Sequence, residues 1–357
     1  MTDFRTFPNA QRPPAVPMQP VIDPAGWAAS SLGPVENWSY SLTQRDQDEV
    51  VAAVEAFRRA GLSRVDVGID NFPLDKFAST LGDVHSELTD GRGMVMLQNF
   101  PIDRLDLEGN AIGFMGIGSY LGDRMVQNRH GHVLGHVKDL GLDYSGEGRA
   151  YNTRANLRFH ADSCDYVALL CLQVSKSGGE SRVVSSVTVY NEMLKRRPDL
   201  TKVLTEDFYK SLGVDRDKDA KPYYTQPIFM FDQGYFNAAA VGVSIDKAQK
   251  IPGVPPLTAA QKEAVQYYRD LVDELAADIP FSPGDVQILN NFVMLHSRRE
   301  YEDWPEQDRR RHLLRLWIRD DNARPMRDDV RNGRAGAGIQ IKGLKPIAPL
   351  DAEEVSA

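Results

Sequence analysis

The sequence predicts an α+β fold built on an antiparallel β-barrel or sandwich. Three patterns predict it. Helical periodicity dominates up to about Tyr120, short turn-bounded β segments dominate from about Leu157, and one long amphipathic helix interrupts those segments.

Taken in order, the chain opens on prolines at 8, 13, 14, 17 and 20, which predict an extended arm over residues 1–40. Thr43 can cap a helix running to Ala60: Asp46 stands three residues on, Val50, Val54 and Phe57 share one face, and Gly61 supplies the stop. A second helix is predicted from Leu74 to about Leu88, a buried strand over Gly93–Pro101, and a third helix over Leu107–Tyr120. Gly116-x-Gly118 in that helix fits close packing better than a nucleotide loop, because no Gly-x-Gly-x-x-Gly follows a strand. LRFHADSCDYVALLCLQV, from Leu157, reads as strand, connection, strand; SKSGGE as a turn; SRVVSS as another strand. Val189–Leu212 reads as helical with polar loops after it, and Thr258-x-x-Gln261 opens a helix to Ile279 with Val265, Tyr268, Val272 and Leu275 on its apolar face. A turn at Pro283–Asp285, a strand or strand pair over VQILNNFVMLH and a last strand over Arg311–Asp320 complete the pattern. A single domain is expected over residues 41–322, followed by a polar, loosely held tail over 323–357.

Composition narrows the function. Apolar residues at 42% and charged residues at 26% are those of a soluble globular chain, and a net charge of −8 argues against nucleic acid or anionic membrane as partners. No apolar run is long enough to cross a bilayer, and the first residues lack the basic start and apolar core of a signal peptide. The two cysteines, Cys164 and Cys171, are too few for a disulfide framework or a thiolate zinc site and read as free thiols in a reducing cytoplasm. A homo-oligomer is compatible with all of this.

The chemistry begins at FHADS. On a strand, His160 and Asp162 would project from one face, and an imidazole with a carboxylate is two-thirds of the 2-His-1-carboxylate set of non-haem iron(II) oxygenases. An isolated His-x-Asp is common by chance, and His296, after an apolar strand, is by itself more often a hydrogen-bonded structural residue. Arg311 and Arg315, four apart on a strand, share a face with Leu313 and Trp317, while His312, Leu314, Leu316 and Ile318 take the other. Inward guanidinium groups need an anion: a dicarboxylate cosubstrate would serve, and internal Asp or Glu partners are the plainer alternative. His130, His132 and His136 cluster without an acidic or thiolate partner, which favours a loop or rim role over a second metal.

The joint pattern resembles the taurine dioxygenase/TfdA-like branch of the iron(II)- and 2-oxoglutarate-dependent oxygenases, with features similar to clavaminate synthase-like and butyrobetaine hydroxylase-like relatives. The resemblance runs from roughly Gly93 to Asp320 and is carried, in order, by FHADS, SGGES with VVSS, PGDVQILNN, LHSR and RRRHLLRLWIRD. It implies a double-stranded β-helix (jelly-roll, cupin-like) core with flanking helices and a helical insert. It also implies His160, Asp162 and His296 as ligands of Fe(II), Arg311 as the salt-bridge partner of 2-oxoglutarate, and Ser181 where the family usually has a threonine hydroxyl. Arg315 corresponds to a second arginine near the cosubstrate or an anionic substrate group, and Asn156 to a substrate contact. Dioxygen and a small molecule are then the remaining partners.

Substrate contacts are expected from the N-terminal helices, from the region Gln127–Val137, with Gln127 and Asn128 among them, and from the insert Asp215–Asp246. Phe229, Phe231 and Tyr235 are either a pocket wall or ordinary packing. The expected outcome is hydroxylation; desaturation, cyclisation and epoxidation use the same ligands. Two rival readings remain at this level: a cupin-like non-redox metal enzyme needing no 2-oxoglutarate, and a metal-free β-sandwich that binds a sugar or partner.

Overall fold

A computed structural model describes residues 12–140, 153–217 and 219–351. The first eleven residues of the arm and the last six of the tail lie outside it.

Local signals set the helical layer. After β1 (Ser39–Ser41), α1 runs Gln44–Ala60 with a reciprocal Thr43–Asp46 capping box, and Gly61 ends it in the left-handed conformation at φ 65°. Then come α2 (Lys76–Thr89), β2 (Met94–Gln98) and α3 (Leu107–Ser119). A Cβ on Gly116 would lie 2.5 Å from the Phe72 ring, so this helix is small-residued because its neighbours touch its backbone.

The β-rich part begins with β3 (Asp123–Arg124), β4 (Gly135–Val137), β5 (Leu157–His160), β6 (Tyr166–Gln173), β7 (Ser177–Gly178) and β8 (Ser181–Ser185). The insert follows: α4 (Ser186–Arg196), α5 (Pro198–Val203), hairpin β9–β10 (Phe208–Ser211, Tyr223–Gln226), hairpin β11–β12 (Phe229–Asp232, Tyr235–Ala238), α6 (Val243–Ala248) and α7 (Ala259–Leu275). The chain returns through β13 (Ala277–Ile279), β14 (Val286–Asn290), β15 (Met294–Arg298), β16 (Tyr301–Glu302) and β17 (His312–Arg319), and ends with the short α8 (Asp328–Arg331) and α9 (Arg334–Ala337).

Two sheets result. The larger has the order β1-β2-β14-β6-β17-β3, with β4 also on β17; the smaller has the order β13-β8-β15-β5. Only the β1–β2 pair of the first is parallel. These are the two walls of a double-stranded β-helix. Strand alternation divides the core: Leu314, Leu316 and Ile318 pack outward under α1–α3, whereas Leu313, Arg315 and Trp317 face the space between the sheets. The smaller sheet shares a second core with the insert, where Tyr190, Phe229, Phe231 and Phe236 form an aromatic cluster.

Several expectations are corrected. The helix from Thr258 stops at Leu275; Ala276 is extended and Ile279 lies on β13, opposite Ser181, because the chain there completes the smaller sheet. Phe208–Ser211, expected to be helical, is a hairpin strand. Phe229 and Phe231 are ordinary packing, and Tyr235 lies between the guanidinium groups of Arg12 (4.7 Å) and Arg324 (5.2 Å). The tail is not loose over its described length. Arg324 is fully buried and shares the carboxylate of Asp23 with Arg12, at 2.7 and 2.8 Å, so arm and tail are tied at one point.

Removing one partner of such a buried set leaves uncompensated charge. Asp23→Asn is therefore expected to cost about 3 kcal/mol or more of stability, read from denaturant unfolding; a loss below about 1 kcal/mol would show that the clasp does not hold the arm.

A second tie titrates. His85 donates to Asp320 (2.6 Å), which also accepts from Tyr166 OH (2.8 Å). That hydrogen bond raises the His85 pKa against the opposing effect of burial. The contribution is fully present below the unfolded imidazole value of about 6.5 and is lost as pH rises through the raised folded value. The stability gap between wild type and His85→Gln should thus be on the order of 1 kcal/mol at pH 6 and shrink towards pH 9. A gap that widens with pH would reverse the sign.

Candidate metal and cosubstrate site

His160 is the last residue of β5 and lies directly opposite His296 in the β5–β15 ladder, so both imidazoles face the interior 4.2 Å apart, centroid to centroid. His296 is in the middle of β15. Asp162 is not on the strand that carries His160: it sits in the turn beyond, and its backbone N–H donates to Asn291 Oδ1 (3.0 Å). The amide of Asn291, in the β14–β15 connection, also donates to Cys164 O (3.2 Å). The carboxylate is thus aimed by a clamp rather than by strand alternation. His160 Nε2 and His296 Nε2 lie 4.0 and 3.9 Å from the Asp162 oxygens, and one ligand atom from each residue falls within 4.8 Å of the others.

The electrostatics prepare these atoms as ligands. Burial, then the neighbouring imidazole, pushes His296 down to about 3, and burial lowers His160, so both rings are neutral with lone pairs available. Burial works to raise the Asp162 carboxyl, yet the Arg315 guanidinium holds it below its ordinary value. A compact set of two neutral imidazoles and one carboxylate fits a divalent iron ion.

These residues form one end of a cavity of about 520 Å³ between the sheets. Arg311, Leu313, Arg315 and Trp317 stand on its wall from β17 and the residue before it, with Ser181 from β8. Arg311 is 6% exposed, and its Nη1 is buried without a hydrogen-bond partner among the described residues. The Ser181 hydroxyl donates to Gln287 Oε1 (3.0 Å). A buried, unsatisfied guanidinium nitrogen on the wall of such a cavity is a place for a carboxylate.

A family model described as "Taurine catabolism dioxygenase TauD, TfdA family" matches residues 54–317. The chain belongs to this family. It is an Fe(II)- and 2-oxoglutarate-dependent dioxygenase. Among relatives, the chain is 27% identical to FR-33289 synthase of Streptomyces rubellomurinus, over 91% of this chain and 97% of that one. It is 30% identical to the taurine hydroxylase-like protein SAT17 of Stachybotrys chartarum, over 84% and 80%. In fold it is similar to the non-heme iron oxygenase OrfP with Fe, succinate and (3S)-hydroxy-L-Arg (TM-score 0.61, 14% identity, 87% of this chain and 99% of that one). It is likewise similar to asparagine oxygenase (TM-score 0.60, 18% identity, 79% and 93%).

Of the expected substrate contacts, Val137 and the insert residues Asp215, Gly242 and Val243 line the cavity, whereas Gln127, Asn128 and Asn156 do not. Gln127 is 1% exposed and its amide is spent on Arg315: Oε1 accepts from Nε (2.9 Å), while Nε2 donates to Arg315 O (2.9 Å) and Val133 O (3.1 Å). Asn128 closes the turn between β3 and β4, accepting from the N–H groups of His130 and His132. Asn156 is exposed and does not line the cavity. The histidine cluster does not converge: His136 bonds His312 (2.8 Å) and Pro349 O (3.0 Å), and His132 pairs with Ile347 in a β-bridge. Sequence reading missed Asn291 and Arg298. The repeated Asn290-Asn291 at a strand end was a signal for the first, and the two-residue step from His296 for the second.

His296→Ala should remove iron binding while leaving the β circular-dichroism signal in place, since the ring is a wall residue of a well-packed sheet. Iron affinity by calorimetry within a factor of about three of wild type would withdraw His296 as a ligand.

Proposed function

We propose that this enzyme hydroxylates an unactivated C–H of a small organic molecule, with succinate and carbon dioxide as coproducts. The observation that carries the reading is the coincidence, in one cavity, of the His160–Asp162–His296 set with the partnerless Arg311 nitrogen and Ser181. We assign His160, Asp162 and His296 as metal ligands, Arg311 and Ser181 as partners of the far carboxylate of 2-oxoglutarate, and Arg315 as the cation beside Asp162. When bound, iron with 2-oxoglutarate supplies the oxidising power for C–H cleavage.

The chain's own residues bind, orient and shield. Arg315 Nη1 stands 3.4 Å from Asp162 Oδ2, and Gln127 fixes that guanidinium from behind. Asp162 keeps one coordination position occupied by a carboxylate, which supports hydroxylation over halogenation, since a halide needs that place. Leu157, Phe159, Leu169, Val243 and Phe281 give the substrate an apolar, poorly hydrated contact. Charge at the rim comes from Arg158, Asp215 and Lys247. No helix among the described residues is long and apolar enough to cross a membrane, and both cysteines are buried and free, which supports a cytoplasmic setting.

The test is substrate-dependent succinate release under ¹⁸O₂, screened over amino-acid derivatives and small secondary metabolites. One ¹⁸O atom in succinate and one in the product is the expected result. Turnover with zinc in place of iron, or without 2-oxoglutarate, would falsify the reading.

A further inference from the structure

Arg298 is not needed to complete the set above, yet it shares its cavity. It stands two residues after His296 on β15, so it faces the same way, and in the ladder it lies opposite Ser181. Its guanidinium is 5% exposed for the whole residue and tied on one side only. Nη2 donates to Thr153 O (2.8 Å) and Ala155 O (2.5 Å), and Nε to Arg299 O (3.3 Å). These partners are all backbone carbonyls. Nη1 is buried and has none among the described residues.

Arg311 repeats the pattern from the opposite sheet, with its own buried Nη1 unsatisfied. The two guanidinium groups lie over the ring of one tyrosine, Tyr301, with Cζ at 4.7 Å from the centroid for Arg298 and 5.3 Å for Arg311. Two buried like charges side by side repel one another; Asp139 and Asp303 offset part of that charge but ion-pair with neither guanidinium among the described residues, so each keeps a donor for an anion that joins them. Arg315 differs, because it already faces Asp162.

We propose that Arg298 is a second arginine of the cosubstrate site, holding with Arg311 the carboxylate of 2-oxoglutarate that lies away from the metal. The proposal rests on the function assigned above. A carboxylate offers about four lone pairs, enough for one Nη1 from each arginine, and for the Ser181 hydroxyl once its single proton turns from Gln287 Oε1. Placement on β15 between His296 and the neighbours of Ser181 sets Arg298 at that end of the cavity rather than at the rim, where Lys247 and Arg158 stand. Its grip on Thr153 and Ala155 also links the anion site to the chain entering β5, which carries His160.

The test compares 2-oxoglutarate with 2-oxopentanoate, which has the same metal-chelating 2-oxo acid and a methyl in place of the far carboxylate. Affinities are read anaerobically on the iron(II) protein from the visible charge-transfer band, and from thermal shift with Mn(II). Arg298→Met is expected to weaken 2-oxoglutarate on the order of tenfold or more and 2-oxopentanoate hardly at all, so that the preference between them collapses. Arg298→Lys, which keeps the charge without the fork, should fall between and provides a folded comparison if the Met variant does not fold. Equal weakening of both acids would make Arg298 only a strut for Thr153–Ala155 and overturn the proposal, as would an unchanged preference in both variants. A wild-type protein without any 2-oxoglutarate-dependent band would instead overturn the parent assignment of function.

Discussion

The pairing of β5 with β15 places His160 opposite His296, and the geometry of the site depends on that one register. Side chains alternate along a strand with period two, so a slip of one residue would turn one imidazole out of the cavity. The same strand carries the site further in both directions. On its other edge β15 pairs with β8, where Ser181 meets Arg298, and at its start the Asn290–Asn291 connection reaches back to hold Asp162. Two flanking strands and one clamp therefore bring together a metal set from the His160 turn, a hydroxyl from β8 and a guanidinium from β15. The larger sheet adds Arg311 and Arg315 from the facing wall.

Charge is distributed so that each part is incomplete alone. Asp162 needs a cation to stay ionised in a buried place, and Arg315 provides it. Arg315 in turn could swing among rotamers in an open cavity, and Gln127 prevents this by accepting from Nε while donating to the backbone carbonyl of the same residue. That amide can be oriented only one way, because the reversed amide would set oxygen against two carbonyls. Gln127 is thus polar and buried for a reason that concerns the arginine, not the substrate. Among the described residues Arg298 and Arg311 have no carboxylate within ion-pair distance, and this asymmetry with Arg315 is what the proposed anion site rests on.

How much of this was legible in the sequence varies with the range of the interaction. The capping box of α1, its apolar face at Val50, Val54 and Phe57, and the inward set Arg311–Leu313–Arg315–Trp317 are local patterns, and they appear in the structure as read. His160 and His296 could be named, but their facing positions come from a ladder between segments more than a hundred residues apart. Asp162 was placed on a strand because two-residue spacing suggests one; the strand ends at His160, and a distant asparagine does the aiming. Ile279 continued a helical period by chance and belongs to a sheet edge that needed a strand. Gln127 looked like a substrate contact because it opens the Gln127–Val137 segment, read as a specificity loop, and only tertiary contact shows its amide turned to Arg315. The tail's polarity concealed Arg324, whose partner Asp23 lies at the other end of the chain.

The division of labour along the chain also separates what family membership carries from what it does not. The residues proposed as metal ligands and anion holders, with the clamp, sit on β5, β8, β15 and β17 or beside them, held by ladders on both sides. The mouth of the cavity is built differently: Gly213, Val214 and Asp215 follow a two-stranded hairpin strand, and Gly242, Val243 and Lys247 come from the short α6 region. Val214 leaves 62% of its surface exposed there, and Arg158 leans on Asp246, which also accepts from Arg269. These segments can change length and residue without disturbing the register that sets His160 against His296. Substrate choice can therefore diverge among relatives while the reaction class stays fixed, since the rim is free to vary and the paired strands are not.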